Sequence, residues 1–300
     1  MQHERFTGLI AATHTPFHAD GALRLEVIEK QAAALLADNV SGVFVCGTTG
    51  EGLSMNVAER MQVAQRWTEV AKSTALRVIV HIGACALGEV KELAGHAAQN
   101  GAAGVAMIAP SFFRPDSPAA LAACCKEVAA ACPDTPFFYY DIPSFTHVRL
   151  SMADFLSLAI RDIPNFAGLK FTHDDLVTLQ LCLHDCGEQI DILSGMDELL
   201  LPALALGVRG AVGSSYNFAA PLYHSLMKSL AADDLPAARR AQVKAIKLLK
   251  SLSKRGYTAS CKALMCRNGI DVGPPRLPQM PLSSEQTQSL FAELDGLESP

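Results

Sequence analysis

Short runs of apolar, often β-branched residues recur along the chain, each followed by a turn and a segment with helical spacing of apolar positions. The first unit pairs a strand over 8–13 with a helix over 25–39. The second pairs 42–46 with a helix that Asn56 caps and that ends near Lys72. The third and fourth pair 77–82 with 88–99, and 104–108 with 118–131. The fifth strand, 136–141, leads to a helix capped by Ser151, and the sixth, 166–170, to a helix from about Asp174. The seventh pairs 190–193 with 197–206, and the eighth strand, 210–213, ends in a helix that closes near Ala232. Strands this continuously apolar belong to a parallel sheet covered by helices, so eight such units predict an α/β fold, a closed (β/α)8 TIM barrel. An open doubly wound sheet is the alternative, but no dinucleotide fingerprint opens the first helix.

The barrel takes residues 1–232 on this reading, and 233–300 form a C-terminal helical extension packed on it. Helical periodicity is strong over 234–254, and two more helices are expected over 257–267 and 284–294. Between those two lies Gly273-Pro-Pro-Arg-Leu-Pro278, too rich in proline for a helix and therefore an extended connection.

Composition narrows the picture further. Three hundred residues, half of them hydrophobic, supply one large barrel with its core. Acidic residues outnumber basic ones, 30 to 25, which argues against non-specific binding to nucleic acid or anionic membranes. The nine cysteines are odd in number and scattered, as free thiols in a reducing compartment are. Cys182 and Cys186 with His184 between them invite a metal, but no further donors accompany them, so no metal and no cofactor are expected. The first residues lack the apolar core of a leader, and no apolar run spans a bilayer, so a cytoplasmic protein is expected.

Active sites of such barrels lie at the carboxyl ends of the strands. Lys170 ends the sixth. A buried ammonium is costly there, and the desolvated amine is a nucleophile toward carbonyl carbon. A lysine that snorkels to solvent is the plainer alternative. Cys46-Gly-Thr-Thr-Gly-Glu-Gly52 follows the second strand and suits a carboxylate or phosphate, although an ordinary loop has the same composition. Tyr139 and Tyr140 end the fifth strand, where a tyrosine is either packed or, facing Lys170, a proton shuttle. Asp197 and Glu198 follow the seventh, as helix caps or as carboxylates for substrate hydroxyls, and Ser214 and Ser215 follow the eighth. His81 is expected to be a satisfied core histidine. His14 and His18 are expected to be exposed in the first loop.

Together Gly47-Thr-Thr-Gly-Glu51, Tyr140-Asp-Ile-Pro143 and Gly168-Leu-Lys170 resemble the signature of the class I pyruvate aldolases, the dihydrodipicolinate synthase and N-acetylneuraminate lyase superfamily. With Thr15-Pro-Phe17 in the first loop, the resemblance runs over nearly the whole chain. It implies a Schiff-base lysine at Lys170, proton transfer by Tyr140, a carboxylate held by Gly47, Thr48 and Thr49, and Thr172 lining the pocket. His81-Ile-Gly83, Gly195-Met-Asp-Glu198, Gly213-Ser-Ser-Tyr-Asn217 and the late proline-rich stretch make the lyase branch the nearer one. In that branch the residues matching Gly195, Asp197, Glu198 and Ser214 hold the polyhydroxyl tail of a sialic acid. Synthases carry an arginine two residues after the proline of the tyrosine motif, and Phe145 stands here instead. The resemblance thus implies reversible retro-aldol cleavage of sialic acid to pyruvate and N-acetylmannosamine, without a metal, in a homotetramer.

The chain also departs from that pattern. His147 stands where lyases usually carry glycine, close to the expected pocket. Asp141 stands where asparagine or histidine is common. Phe112 and Phe113 replace tyrosines that in many relatives join a proton relay between subunits. Rival readings are an aldolase or dehydratase of another 2-keto sugar acid, marked by His147; a phosphate-binding barrel, opposed by Asp197 and Glu198; and a catalytically silent sugar-acid binder, opposed by Lys170 and Tyr140.

Overall fold

The structure, a computed structural model, describes residues 4–298. Eight parallel strands close into a barrel in chain order: β1 Gly8–Ala12, β2 Gly42–Val45, β3 Arg77–His81, β4 Gly104–Ile108, β5 Phe137–Asp141, β6 Phe166–Phe171, β7 Asp191–Ser194 and β8 Gly210–Gly213. β8 returns to β1, with Leu9 beside Ala211. The strand runs are mostly apolar, with polar residues chiefly at their ends, because both faces are covered, and strand geometry then sends successive side chains to opposite faces. Ile10, Phe44, Ile79, Ala106, Phe138, Tyr140, Leu193 and Val212 fill the interior. Leu9, Val43, Val45, Val78, Val80, Val105, Tyr139 and Leu169 pack outward against the helices. Phe6 closes the amino-terminal end, its ring edge-on to Phe138 at 5.6 Å and under the Arg77 guanidinium at 3.6 Å.

The helices begin where their caps dictate. Asn56 and Glu59 form a reciprocal capping box on Val57–Ala71. Ser117, Ser151, Asp175 and Asp234 each accept a hydrogen bond from the third residue of their helix. Two expected helices are split: a 3-10 turn, Leu25–Val27, precedes Ile28–Ala37, and another, Asp197–Leu199, precedes Leu200–Ala205. The helix Tyr216–Ala231 is kinked at Ala219, two residues before Pro221, whose ring cannot continue regular hydrogen bonding.

Beyond the barrel, Leu235–Ser253 packs on Tyr216–Ala231. Tyr257–Arg267 and Ser284–Glu298 join it around Leu252, Cys261, Leu290 and Leu294. The stretch from Gly273 to Pro278 is not helical, as expected, but it is not extended throughout. Gly273 is left-handed at φ 67°, and Leu277 and Pro278 form a turn closed by Gln279 N donating to Arg276 O at 3.0 Å. Next to it Phe17 N donates to Val272 O at 3.1 Å. The cysteines are free thiols; burial raises Cys182 to about 12 and lifts Cys186 as well. Among the described residues no helix is long and apolar enough to cross a membrane.

Candidate active site

Tyr140 and Lys170 are direct neighbours in the β5–β6 register, and both point into the barrel. Lys170 is only 4 % exposed, at the carboxyl end of a strand whose other positions are apolar or glycine. Its Nζ lies 3.9 Å from the centre of the Tyr140 ring and 4.0 Å from that of Phe44. Burial lowers the ammonium to about pKa 7, against a smaller upward pull from Asp197. A large share of the amine is therefore unprotonated at neutral pH. The snorkelling alternative is excluded.

The period of two settles the pair of tyrosines. Tyr139 faces outward against Phe155, 4.7 Å between ring centres, whereas Tyr140 is wedged edge-on between Phe44 and His81. The Tyr140 hydroxyl lies 3.4 Å from Thr48 Oγ1. Burial pushes Tyr140 up to about 12, eased by the hydroxyls of Thr48 and Thr172, so the phenol keeps its proton at neutral pH. His81 is a core histidine as expected: Nδ1 lies 3.0 Å from Cys46 O, and burial holds it neutral. Beside it buried Arg60 donates to His81 O at 2.7 Å and Gly83 O at 2.9 Å, fixing the end of β3.

The Gly47–Gly50 turn is tied from within and from without. Glu51 N and Gly52 N donate back to Thr48 O and Gly47 O, and Thr15 Oγ1 donates to Gly50 O at 2.6 Å. Thr48 is exposed at the mouth, Thr49 half-buried and Gly47 buried. Cys46 and Glu51, on either side, hold left-handed backbone with φ of 58° and 54°. Glu51 is buried, and its carboxylate pairs with Lys262 Nζ at 2.7 Å and accepts from Arg276 N at 2.7 Å. Lys262 also donates to Thr15 O and Pro274 O, so the C-terminal helices reach the turn directly. The sequence did not single out Lys262, since a lysine on an amphipathic helix ordinarily faces solvent.

Across the mouth, Gly195 N donates to Phe171 O at 2.7 Å, and the Thr172 hydroxyl occupies the space a Cβ at 195 would need. Gly213 likewise leaves room for the Asp197 carboxylate. Asp197 is buried and accepts from Ser215 N at 3.0 Å and Ser215 Oγ at 2.5 Å; burial raises its carboxyl to about 6. Glu198 is half-buried beside it. Ser214 Oγ lies 2.7 Å from the hydroxyl of Tyr257, a second contribution from the C-terminal helices that no local pattern signals. Contacts thus join Lys170, Tyr140, Thr48, Thr172 and Gly195, and Asp197 acts on Lys170 through its charge.

Several expectations about flanking residues change. His14 is fully buried rather than exposed, because its loop lies beneath the turn; burial and Lys262 lower it to about pKa 3, while His18 is exposed. Pro143–Thr146 forms a short helix that His147 terminates at φ 56°, with its N–H donating to Pro143 O. A left-handed position of this kind favours glycine for its backbone freedom, and the His147 side chain is exposed. Asp141, one residue past Tyr140, faces out of the barrel, where burial raises it to about 7. Phe112 and Phe113 are exposed after β4, edge-on at 5.0 Å, and Phe145 is exposed after β5.

The closed barrel with a desolvated lysine inside the end of β6 defines a (β/α)8 protein of the class I aldolase kind. Residues 5–296 match the model of the dihydrodipicolinate synthetase family. The chain is 41 % identical to an N-acetylneuraminate lyase of Gallus gallus over 99 % of its length and 98 % of the relative's. Among solved structures it resembles Proteus mirabilis N-acetylneuraminate lyase, with TM-score 0.94, 38 % identity, and coverage of 98 % of this chain and 99 % of that one. The N-acetylneuraminate lyase (sialic acid aldolase) of Aliivibrio salmonicida gives TM-score 0.95 and 39 % identity, covering 98 % of both chains. The chain belongs to the dihydrodipicolinate synthetase family.

Proposed function

We propose that this protein is a Schiff-base aldolase that reversibly cleaves N-acetylneuraminate to pyruvate and N-acetylmannosamine. The observation that carries the reading is the Lys170 amine, buried against Tyr140 and shifted to about pKa 7. Lyases of about 40 % identity over the full chain support the substrate.

In this mechanism neutral Lys170 attacks the 2-keto carbon of the open-chain acid, and loss of water leaves an iminium. The C4 hydroxyl gives up its proton as C3–C4 breaks, and the bond pair flows toward the iminium nitrogen to form an enamine. Tyr140 relays protons in both steps, together with the substrate carboxylate. Gly47, Thr48 and Thr49 hold that carboxylate, and Thr172 lines the pocket beside Lys170. Gly195, Asp197, Glu198 and Ser214 receive the sugar tail. Protonation at C3 and hydrolysis then return pyruvate and free amine.

Phe145, exposed where a synthase needs an arginine for its second carboxylate, disfavours a condensation with a dicarboxylate partner. We read residues 233–300 as an appendage of the 1–232 barrel, and the working form as a cytoplasmic homotetramer, which sedimentation would test. The exposed pair Phe112 and Phe113 supports self-association.

Borohydride reduction with pyruvate, peptide mass spectrometry and a cleavage assay test the reading together. A pyruvyl adduct on Lys170 with release of pyruvate from N-acetylneuraminate is expected. An adduct without cleavage would move the substrate to another 2-keto sugar acid, and the lack of any adduct would remove Lys170 from the chemistry.

A further inference from the structure

The turn that receives the keto-acid carboxylate in the proposed mechanism begins and ends in left-handed backbone, at Cys46 and Glu51. Non-glycine residues hold that conformation only at a steric cost, so the surroundings must fix it. At Cys46 the chain is held by β2 and by His81 Nδ1 on its carbonyl. At Glu51 the hold is different in kind. Its side chain turns inward and is gripped by two groups from the C-terminal helices and connection, Lys262 Nζ and Arg276 N, each at 2.7 Å.

Both charged side chains are almost completely buried, at 2 % for Lys262 and 0 % for Glu51. Lys262 spends its remaining hydrogen bonds on Thr15 O and Pro274 O, and Thr15 in turn donates to Gly50 O. Arg276 is anchored to Glu59, Ser54 O and Gly21 O, so its amide cannot drift from Glu51. The cluster grips both the first loop, at Thr15 behind the turn, and Glu51 at the end of the turn itself. A buried pair of this kind adds little net stability over apolar side chains of the same volume. What it does supply is a fixed location for Glu51, and hence for Thr48 and Thr49, whose carbonyl and amide groups precede it in the same tight turn.

We propose that Lys262 and Glu51 are positioning residues for the keto-acid carboxylate: the pair sets the Thr48–Thr49 turn at the height where a bound carboxylate presents its 2-keto carbon to Lys170. The inference rests on the Schiff-base reading above. It separates the pair's effect from that of Lys170, because a displaced turn weakens binding of the acid while leaving the amine intact.

The test is borohydride trapping of pyruvate across a concentration series, with thermal melting measured in parallel. The double variant Lys262→Met/Glu51→Gln removes both charges together, and Glu51→Gln alone keeps the shape and the hydrogen-bond acceptor. In the folded double variant the half-saturating pyruvate concentration should rise about tenfold or more, while the trapping rate at saturation stays within about threefold of wild type. Glu51→Gln, which leaves the Lys262 ammonium buried without its counter-charge, should show a rise at least as large together with a lower melting temperature. Wild-type half-saturation in either folded variant would overturn the proposal, as would a loss confined to the saturated rate. Failure of the wild-type protein to trap pyruvate on Lys170 would overturn the Schiff-base reading itself, an outcome distinct from both.

Discussion

The Lys170 amine rests over the face of the Tyr140 ring, 3.9 Å from its centre, while the Tyr140 hydroxyl turns away toward Thr48. The two groups are adjacent without being hydrogen-bonded to each other. The ring face gives the ammonium form a modest attraction and the amine form an apolar shelf. The hydroxyl is left free to meet a substrate oxygen on the carboxylate side. The proposed nucleophile and the proposed proton carrier therefore meet at one ring and point to different places.

The first prediction concerns pH. Imine formation needs the neutral amine, so the trapping rate at fixed subsaturating pyruvate should fall about tenfold per pH unit below about 7 and level off above it. A rate that is flat between pH 5 and 8 would contradict the assignment.

Stability should carry the same signature with a definite sign. The folded pKa of Lys170, about 7, lies below its ordinary value of 10.5, so the unfolded chain binds the proton more tightly. The resulting destabilisation is complete below about pH 7 and disappears as pH rises toward 10.5. Lys170→Met should therefore melt higher than wild type at pH 7, by a free energy on the order of a few kcal/mol. That gap should close toward pH 10.

Tyr140→Phe keeps the ring contacts with Phe44, His81 and Lys170 and removes only the hydroxyl. Cleavage should drop about 10²- to 10⁴-fold in kcat with little change in melting temperature. A wild-type kcat would move proton transfer elsewhere.

Asp197→Asn and Glu198→Gln separate two roles of neighbouring carboxylates. Asp197 favours the charged form of Lys170, so its neutralisation should shift the break in the pH–rate profile to lower pH. Glu198→Gln should leave that break in place and raise KM for N-acetylneuraminate alone. Identical profiles for both variants would deny Asp197 its electrostatic part.

His147→Gly tests whether this departure is one of backbone or of specificity. At φ 56° a glycine relieves left-handed crowding, so the variant should be as stable as wild type or more stable by about 1 kcal/mol. KM for sialic acid should not change. A large change in KM would return His147 to the pocket.

Much of this architecture is legible in the chain itself, because the eight apolar runs and their capping residues are local signals. Asn56 and Ser151 cap where their side-chain chemistry places them, and Lys170 stands out because a cation interrupts an apolar strand. What escapes a linear reading depends on partners far away. Tyr139 and Tyr140 are equivalent as neighbours and differ only once the barrel register turns one inward. His14 looks like a loop residue until Lys262 and the turn cover it. Lys262 and Tyr257 resemble any polar residues of a helix, and only closure of the last helices onto the barrel mouth reveals their partners, Glu51 and Ser214. His147 reads as a specificity mark until its φ is known.

The grip of Lys262 on Glu51 also sets an order of events during synthesis. All eight strands and Lys170 leave the ribosome before residue 262 does, so whatever part of the barrel forms ahead of it lacks the strap on the Gly47–Gly50 turn. On the proposed Schiff-base reading, the amine is therefore made before the seat for the acid is secured. The last helices to be synthesised complete the front of the site, and truncation before Tyr257 should cost affinity for pyruvate.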